Sequence, residues 1–226
     1  EPANTCNFFL PVVPTNLSEA VGGCTKKGPF ICSGYDDGST TRDCYLLTSD
    51  RQFKKYRNKL RTAIVEASSL VTKNGELWVT GGWKKANNYL SSTELVTTQS
   101  QKWSTSLKKR IYGHCLTRIN ATMAMVTGGY EAEQEHGNHR STYFIDLTTF
   151  EVLENGPVLN KERMNHGCTT FNHKDDVVVI VAGGRYSTCN WYTFGYCTTY
   201  SYTHSNSWEF LNLSDEKLSW KNFDRH

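Results

Sequence analysis

The sequence predicts an all-β chain made of a repeated four-stranded unit, and three observations carry that prediction. An apolar run closed by a glycine doublet occurs at Leu77 to Gly82, at Met123 to Gly129 and at Val177 to Gly184, with a worn copy at Phe30-Ile31-Cys32-Ser33-Gly34. The doublets begin at Ser33, Gly81, Gly128 and Gly183, at intervals of 48, 47 and 55 residues, and a near-fixed period of this size marks stacked supersecondary units. Finally, 17 Gly, 12 Tyr, 10 Phe and 6 Trp among turn clusters favour many short strands over long helices.

Residues 1–16 read as an irregular segment, followed by units at about 17–57, 58–107, 108–160 and 161–226. The first unit is expected to hold a strand Leu17–Val21, a turn at Gly22-Gly23, strands around Phe30–Cys32 and Asp43–Leu47, and a weaker one near Phe53. In the second, Ala63–Val65, Leu77–Thr80, Thr93–Val96 and Lys102-Trp103 are short, β-rich and bounded by turn residues such as Lys73-Asn74-Gly75. The third is read as His114–Thr117, Met123–Thr127, Thr142–Asp146 and Phe150–Leu153. Cys168–Phe171, Val177–Ala182, Trp208–Leu213 and Leu218–Trp220 take the same places in the fourth. The run Val177–Val181 is apolar at every position, as a strand covered on both faces should be.

These features resemble a kelch-repeat β-propeller, specifically a secreted, cysteine-containing kelch-like protein. The doublets Gly81-Gly82, Gly128-Gly129 and Gly183-Gly184, the step Tyr143 with Ile145-Asp146, Trp103 and Trp220, and Arg110 with His114 then Arg163 with His166 carry the likeness. The resemblance implies a propeller over 17–226, with the tryptophans filling space between blades. Propellers close with roughly 4 to 8 blades, and kelch members usually have more than the four units legible here. Part of a longer propeller is therefore expected ahead of a closed four-bladed ring.

Eight cysteines form an even set without zinc-finger or redox C-x-x-C spacing. With the sequons at Asn16, Asn120 and Asn212 they point to a secreted, glycosylated protein. Because Glu1 is not an initiator methionine, a signal peptide or more of the protein is expected to have been removed. Local pairing suggests Cys32 with Cys44, Cys189 with Cys197, Cys115 with Cys168 and, by remainder, Cys6 with Cys24, among many connectivities. The net charge of +3, with its basic residues scattered, argues against a nucleic-acid groove, and no stretch is long and apolar enough to span a membrane.

The segment Arg185 to His204 is read as an inserted aromatic loop. Its Tyr186, Trp191, Tyr192, Phe194, Tyr196 and Tyr200 are the candidate binding residues, since loop aromatics offer contact area at low entropy cost. His136 and His139, with Glu133 or Glu135, are the candidate metal ligands, although a solvated polar loop is the simpler reading. His114 and His166 recur at matching positions and are assigned to structure. No catalytic motif stands out. The expected role is thus a non-catalytic protein-binding or extracellular assembly module, with protein partners or other subunits, no catalytic residues and no cofactor. The alternatives are a copper oxidase resembling galactose oxidase, which would need copper, and a carbohydrate-binding module with a glycan ligand.

Overall fold

The computed structural model describes residues 13, 15–84, 88–96, 101–103, 106–131, 140–193 and 196–223, with backbone alone at 101–103, 189, 191–193 and 196–200. The described residues are all β, without helix. Four antiparallel four-stranded sheets follow one another along the chain. The first holds β1 (Val21–Thr25), β2 (Gly28–Asp36), β3 (Ser39–Leu47) and β4 (Phe53–Lys55) in that order. The second holds β5 (Ser68–Val71), β6 (Leu77–Thr80), β9 (Thr93–Val96) and β10 (Gln101–Trp103), with a small ribbon of β7 (Trp83–Lys84) and β8 (Asn88–Tyr89) beside it. The third comprises β12 (Cys115–Arg118), β13 (Met123–Thr127), β15 (Thr142–Asp146) and β16 (Val152–Asn155), flanked by the pair β11 (Ile111–Tyr112) and β14 (Tyr130–Glu131). The fourth contains β17 (Gly167–His173), β18 (Asp176–Ala182), β21 (Trp208–Asn212) and β22 (Lys221–Asn222).

The core lies between sheets rather than within one. Along β6 every side chain is buried, and the period of two sends Leu77 and Val79 into a cluster with Phe30 and Cys32, while Trp78 packs with Leu116, Ala124 and Val126. In β13, Met125 points the other way and meets Phe144, Val179, Val181 and Trp220. Burying such side chains is worth about 1.5–3 kcal/mol each. Trp220 fills the third-to-fourth junction as expected, donating its indole N–H to Pro157 O at 2.8 Å; the Trp103 side chain lies outside the described residues.

Several boundaries differ from the sequence reading, each for a physical reason. The Gly22-Gly23 pair is not a turn but lies within β1. A Cβ on Gly23 would sit 2.5 Å from Val71 Cγ2, so these glycines permit close approach of the first two inner strands, which Ser69 Oγ laces by donating to Gly22 O at 3.0 Å. Ala63–Val65 is not a first strand either. It runs along the junction, where Ile64 O accepts from Gly34 N at 3.0 Å, and β5 begins at Ser68. Phe150 adopts a left-handed turn, so β16 starts at Val152. Arg163 is the counterpart of Ile111, not of Arg110: Gly129 N and Gly82 N donate to their carbonyls, each at 2.8 Å. The segment 185–204 is not a loop but a two-stranded ribbon, β19 (Arg185–Thr193) against β20 (Tyr196–His204).

Disulfides join Cys32 to Cys44 across β2 and β3, and Cys115 to Cys168 between the inner strands β12 and β17, the latter with Cα atoms 5.9 Å apart. Cys24 is also disulfide-bonded. The Cys6, Cys189 and Cys197 side chains lie outside the described residues. Such bridges point to an oxidising compartment, extracellular or periplasmic. Asn120 sits in the turn between β12 and β13 and Asn212 ends β21; their Oδ1 atoms accept from Thr122 N and Ser214 N, both at 2.9 Å. Asn16 instead donates to Asp37 Oδ1 at 2.8 Å.

Candidate functional site

The glycine doublets bring the sheets together at one end of their inner strands. A Cβ on Gly81 would lie 2.4 Å from Ile111 O and 2.9 Å from His114 Cε1; on Gly128 it would lie 2.4 Å from Arg163 O and 2.7 Å from His166 Cε1. The doublet therefore exists to admit the next sheet's backbone and its histidine. In the first sheet Ser33-Gly34 adopts the same positive φ angles, and Ser33 Oγ donates to Ile64 O at 2.6 Å.

Just beyond each doublet the chain pairs with the segment that leads into its own inner strand, at Ser18 with Tyr35, Val65 with Trp83, Tyr112 with Tyr130 and Met164 with Arg185. The residue after the first member of each pair is left-handed: Glu19, Glu66, Gly113 and Asn165, with φ between 49° and 61°. Gly113 N donates to Glu66 O at 2.8 Å, and Asn165 N to Gly113 O at 2.6 Å, so these turns are linked from sheet to sheet. Non-glycine residues held in this region are strained, and such strain clusters at functional sites.

The turns line a cavity of about 520 Å³ bounded by Glu19, Ala20, Glu66, Ala67, Asn165, Gly184, Arg185 and His204. Glu66 is its hub. Its carboxylate accepts from Asn165 Nδ2 at 2.6 Å, Trp83 Nε1 at 3.0 Å and Arg185 Nη2 at 3.3 Å. The Arg185 guanidinium lies over the Tyr202 ring, 4.7 Å from its centroid, while its buried Nε has no hydrogen-bond partner. Burial, and then the Glu66 charge, raise the Glu19 carboxyl above its ordinary range, with Arg185 opposing. Half-buried aromatics follow the glycine doublets: Tyr35 meets Trp83, the Glu66 partner, edge-on at 6.2 Å, and Tyr89, Tyr112 and Tyr130 form a cluster with neighbouring centroids 5.0 Å apart. Burial, then Tyr89 and Tyr130, push the Tyr112 hydroxyl far above its usual range.

The arrangement can hold an anionic group at Arg185, with the raised Glu19 carboxyl and the His204 imidazole lining the same cavity. His114 and His166 are elsewhere. Their Nε2 atoms share hydrogen bonds with Thr80 Oγ1 at 2.8 Å and Thr127 Oγ1 at 2.9 Å, and burial lowers both imidazoles to about 3, with Arg163 and then His114 also lowering His166. They are neutral fasteners between sheets, bonded to threonine side chains rather than to backbone.

Of the candidate binding residues, Tyr186 is half-buried near the base of the ribbon, next to Arg185. Trp191, Tyr192, Tyr196 and Tyr200 are on the same ribbon, with their side chains outside the described residues, as are Phe194, His136 and His139. Among the described residues no group of three or more His, Cys, Asp or Glu is placed to hold a metal. The sequence reading missed Glu19, Glu66, Asn165 and Arg185. The available signal was positional: Glu-Ala, Glu-Ala, Gly-His and Asn-His recur at the repeat interval.

No family model matches the chain. N-acetylneuraminate epimerase of Salmonella arizonae is 30% identical over 148 residues, which cover 61% of this chain and 36% of the relative. The chain thus spans about a third of the length of that curated relative. The expectation of a non-catalytic binding or assembly module is corrected here, because this relative is an enzyme. Among solved structures, that of YjhT, a β-propeller, matches with a TM-score of 0.69 at 11% identity, covering 86% of this chain and 68% of the other. The chain has the β-propeller fold.

Proposed function

We propose that this chain is a kelch-type propeller with sugar-epimerising activity on a carboxylated amino sugar, working at the cavity around Glu66 and Arg185. The observation that carries this reading is the similarity to N-acetylneuraminate epimerase; the chemistry of the cavity supports it. N-acetylneuraminate bears a carboxylate. An arginine over an aromatic ring, with an unpartnered buried N–H, is suited to receive such a group.

Inversion at the anomeric carbon breaks its bond to the ring oxygen and remakes it on the other face: one group takes the anomeric hydroxyl proton while another protonates the ring oxygen, and both transfers reverse on closure, so the enzyme finishes each turnover unchanged. Glu19 comes from the segment before β1 and His204 from the end of β20, and both face the cavity. Burial and the neighbouring Glu66 charge raise the Glu19 carboxyl, so it holds a proton more readily than an ordinary glutamate. Glu66, held by three N–H donors, positions Arg185. The half-buried Trp83 ring, bonded to Glu66, offers an apolar face for the sugar's C–H surface. The disulfides and the three sequons are consistent with a secreted glycoprotein that meets its substrate outside the cell.

The test is NMR of N-acetylneuraminate that starts away from its equilibrium mixture of epimers. Catalytic amounts of the chain should hasten equilibration, and Arg185→Ala should lose the effect. Equilibration no faster than in buffer would overturn the reading.

A further inference from the structure

The repeat allows each junction to be compared with its counterparts. Val79 opposite Glu94, Val126 opposite Tyr143 and Val181 opposite Glu209 are register-equivalent cross-strand pairs in the second, third and fourth sheets. The two glutamates do the same work. Glu94 accepts from Arg61 N at 3.0 and 3.1 Å, and Glu209 accepts from Asn160 N at 2.5 Å and Lys161 N at 3.1 Å, so each carboxylate receives the backbone that enters its sheet. One residue earlier, Leu60 N, Leu107 N and Leu159 N donate to Arg42 O, Ser91 O and Arg140 O, which aligns Lys108 with Arg61 and Asn160. The third sheet thus brings a phenol where its neighbours bring a carboxylate, and the Lys108 and Lys109 amides have no carboxylate from their own third strand. A cavity of about 160 Å³ lies there, with Lys108, Lys109, Glu131, Tyr143 and Asn155 in its lining. Tyr143 is only 4% exposed, and its hydroxyl has no hydrogen-bond partner among the described residues. A buried polar group left unpaired costs free energy that a ligand can recover. Burial, then the Glu131 charge, hold this hydroxyl above its ordinary range, so it stays protonated and able to donate. Lys109 neutralises Glu131 at 2.6 Å, while Lys108 Nζ donates to the neutral Asn155 Oδ1 at 3.1 Å, so the Lys108 charge is in surplus.

We propose that this cavity binds a small monocarboxylate from solution, whose oxygens take the place of the glutamate carboxylate that the third sheet lacks. The Lys108 and Lys109 amides and the Tyr143 hydroxyl are its donors, and the Lys108 ammonium balances its charge. The cavity has room for more than one water but falls below the roughly 300 Å³ at which sites for drug-sized ligands begin, which limits the ligand to a few heavy atoms. It shares no lining residue with the cavity around Glu66 and Arg185, so the two sites are separate.

Saturation-transfer NMR of the acetate methyl signal tests this with the parent chain, Tyr143→Phe, Tyr143→Glu and Arg185→Ala, and with acetamide as the uncharged control. The expected result is saturable acetate binding that persists in Arg185→Ala and is not shared by acetamide. Tyr143→Phe, which keeps the ring in its core cluster but loses the donor, should weaken binding about tenfold or more. Tyr143→Glu, which restores the carboxylate of the neighbouring sheets, should abolish it. Absence of saturable acetate binding by the parent would overturn the proposal, as would binding that Tyr143→Phe leaves unchanged. So would binding that is lost with Arg185→Ala, since it would belong to the other cavity.

Discussion

Replacing Glu209 by alanine should be among the most damaging single changes in this protein. Arg163 and Glu209 are both fully buried and joined at 2.7 Å. Glu209 also accepts from Asn160 N at 2.5 Å and Lys161 N at 3.1 Å, tying the third-to-fourth connection to the third strand of its sheet. Removing the carboxylate leaves a buried guanidinium without its counter-ion and two backbone amides without their acceptor. Breaking one side of such a pair costs about 3–5 kcal/mol, out of a total stability of order 5–15 kcal/mol. At roughly 2–4 °C per kcal/mol for a chain of this size, the melting temperature should fall by about 6–20 °C. Urea unfolding and scanning calorimetry of the oxidised protein measure both. Lys54→Ala, which breaks an exposed pair with Asp50, should stay within about 1 kcal/mol. The double change Arg163→Met with Glu209→Leu should recover much of the loss, because an apolar pair substitutes for a buried ionic one. A Glu209→Ala protein within 1 kcal/mol of the parent would refute the reasoning.

Other consequences follow from the junctions between sheets. His114 and His166 are lowered in the folded state to about 3, from an ordinary value near 6.5. The stability they contribute is therefore present above pH 6.5 and is lost as pH falls from there toward 3, at up to about 1.4 kcal/mol per pH unit for each histidine. Urea midpoints across that range should show it, and His114→Gln should flatten the dependence. Removing the Cys115–Cys168 bridge with the double serine variant should cost about 2–4 kcal/mol, read as a lower urea midpoint. Gly128→Ala combines a φ of 55° with a contact 2.4 Å from Arg163 O; it should destabilise by more than about 1 kcal/mol.

The fold was legible in the sequence because its strongest requirement is chemical. A second strand covered on both faces is apolar through its centre and ends at the glycine that admits its neighbour, which bounds β6 and β13, while turn residues on either side bound β9 and β15. Where a residue type serves two ends, the reading failed. Gly22-Gly23 has the letters of a turn but serves close packing in β1, and Arg110 has the letter of Arg163 without its place. The ribbon 185–204 was read as a loop, although its runs of Tyr and Thr suit paired strands. The cavity residues are hidden because Glu19, Glu66 and Asn165 share a left-handed backbone angle rather than a chemical motif. The catalytic reading rests on a relative, since no spacing in the chain announces a proton-transfer site.

The measurement that bears most directly on the central claim is the rate at which N-acetylneuraminate epimers equilibrate, followed by NMR with the parent chain, Arg185→Ala and Glu66→Gln. The account predicts acceleration by the parent, loss with Arg185→Ala, and a reduced rate with Glu66→Gln, whose amide cannot hold the arginine by charge. Equal, uncatalysed rates for all three would contradict it, as would undiminished catalysis by Arg185→Ala.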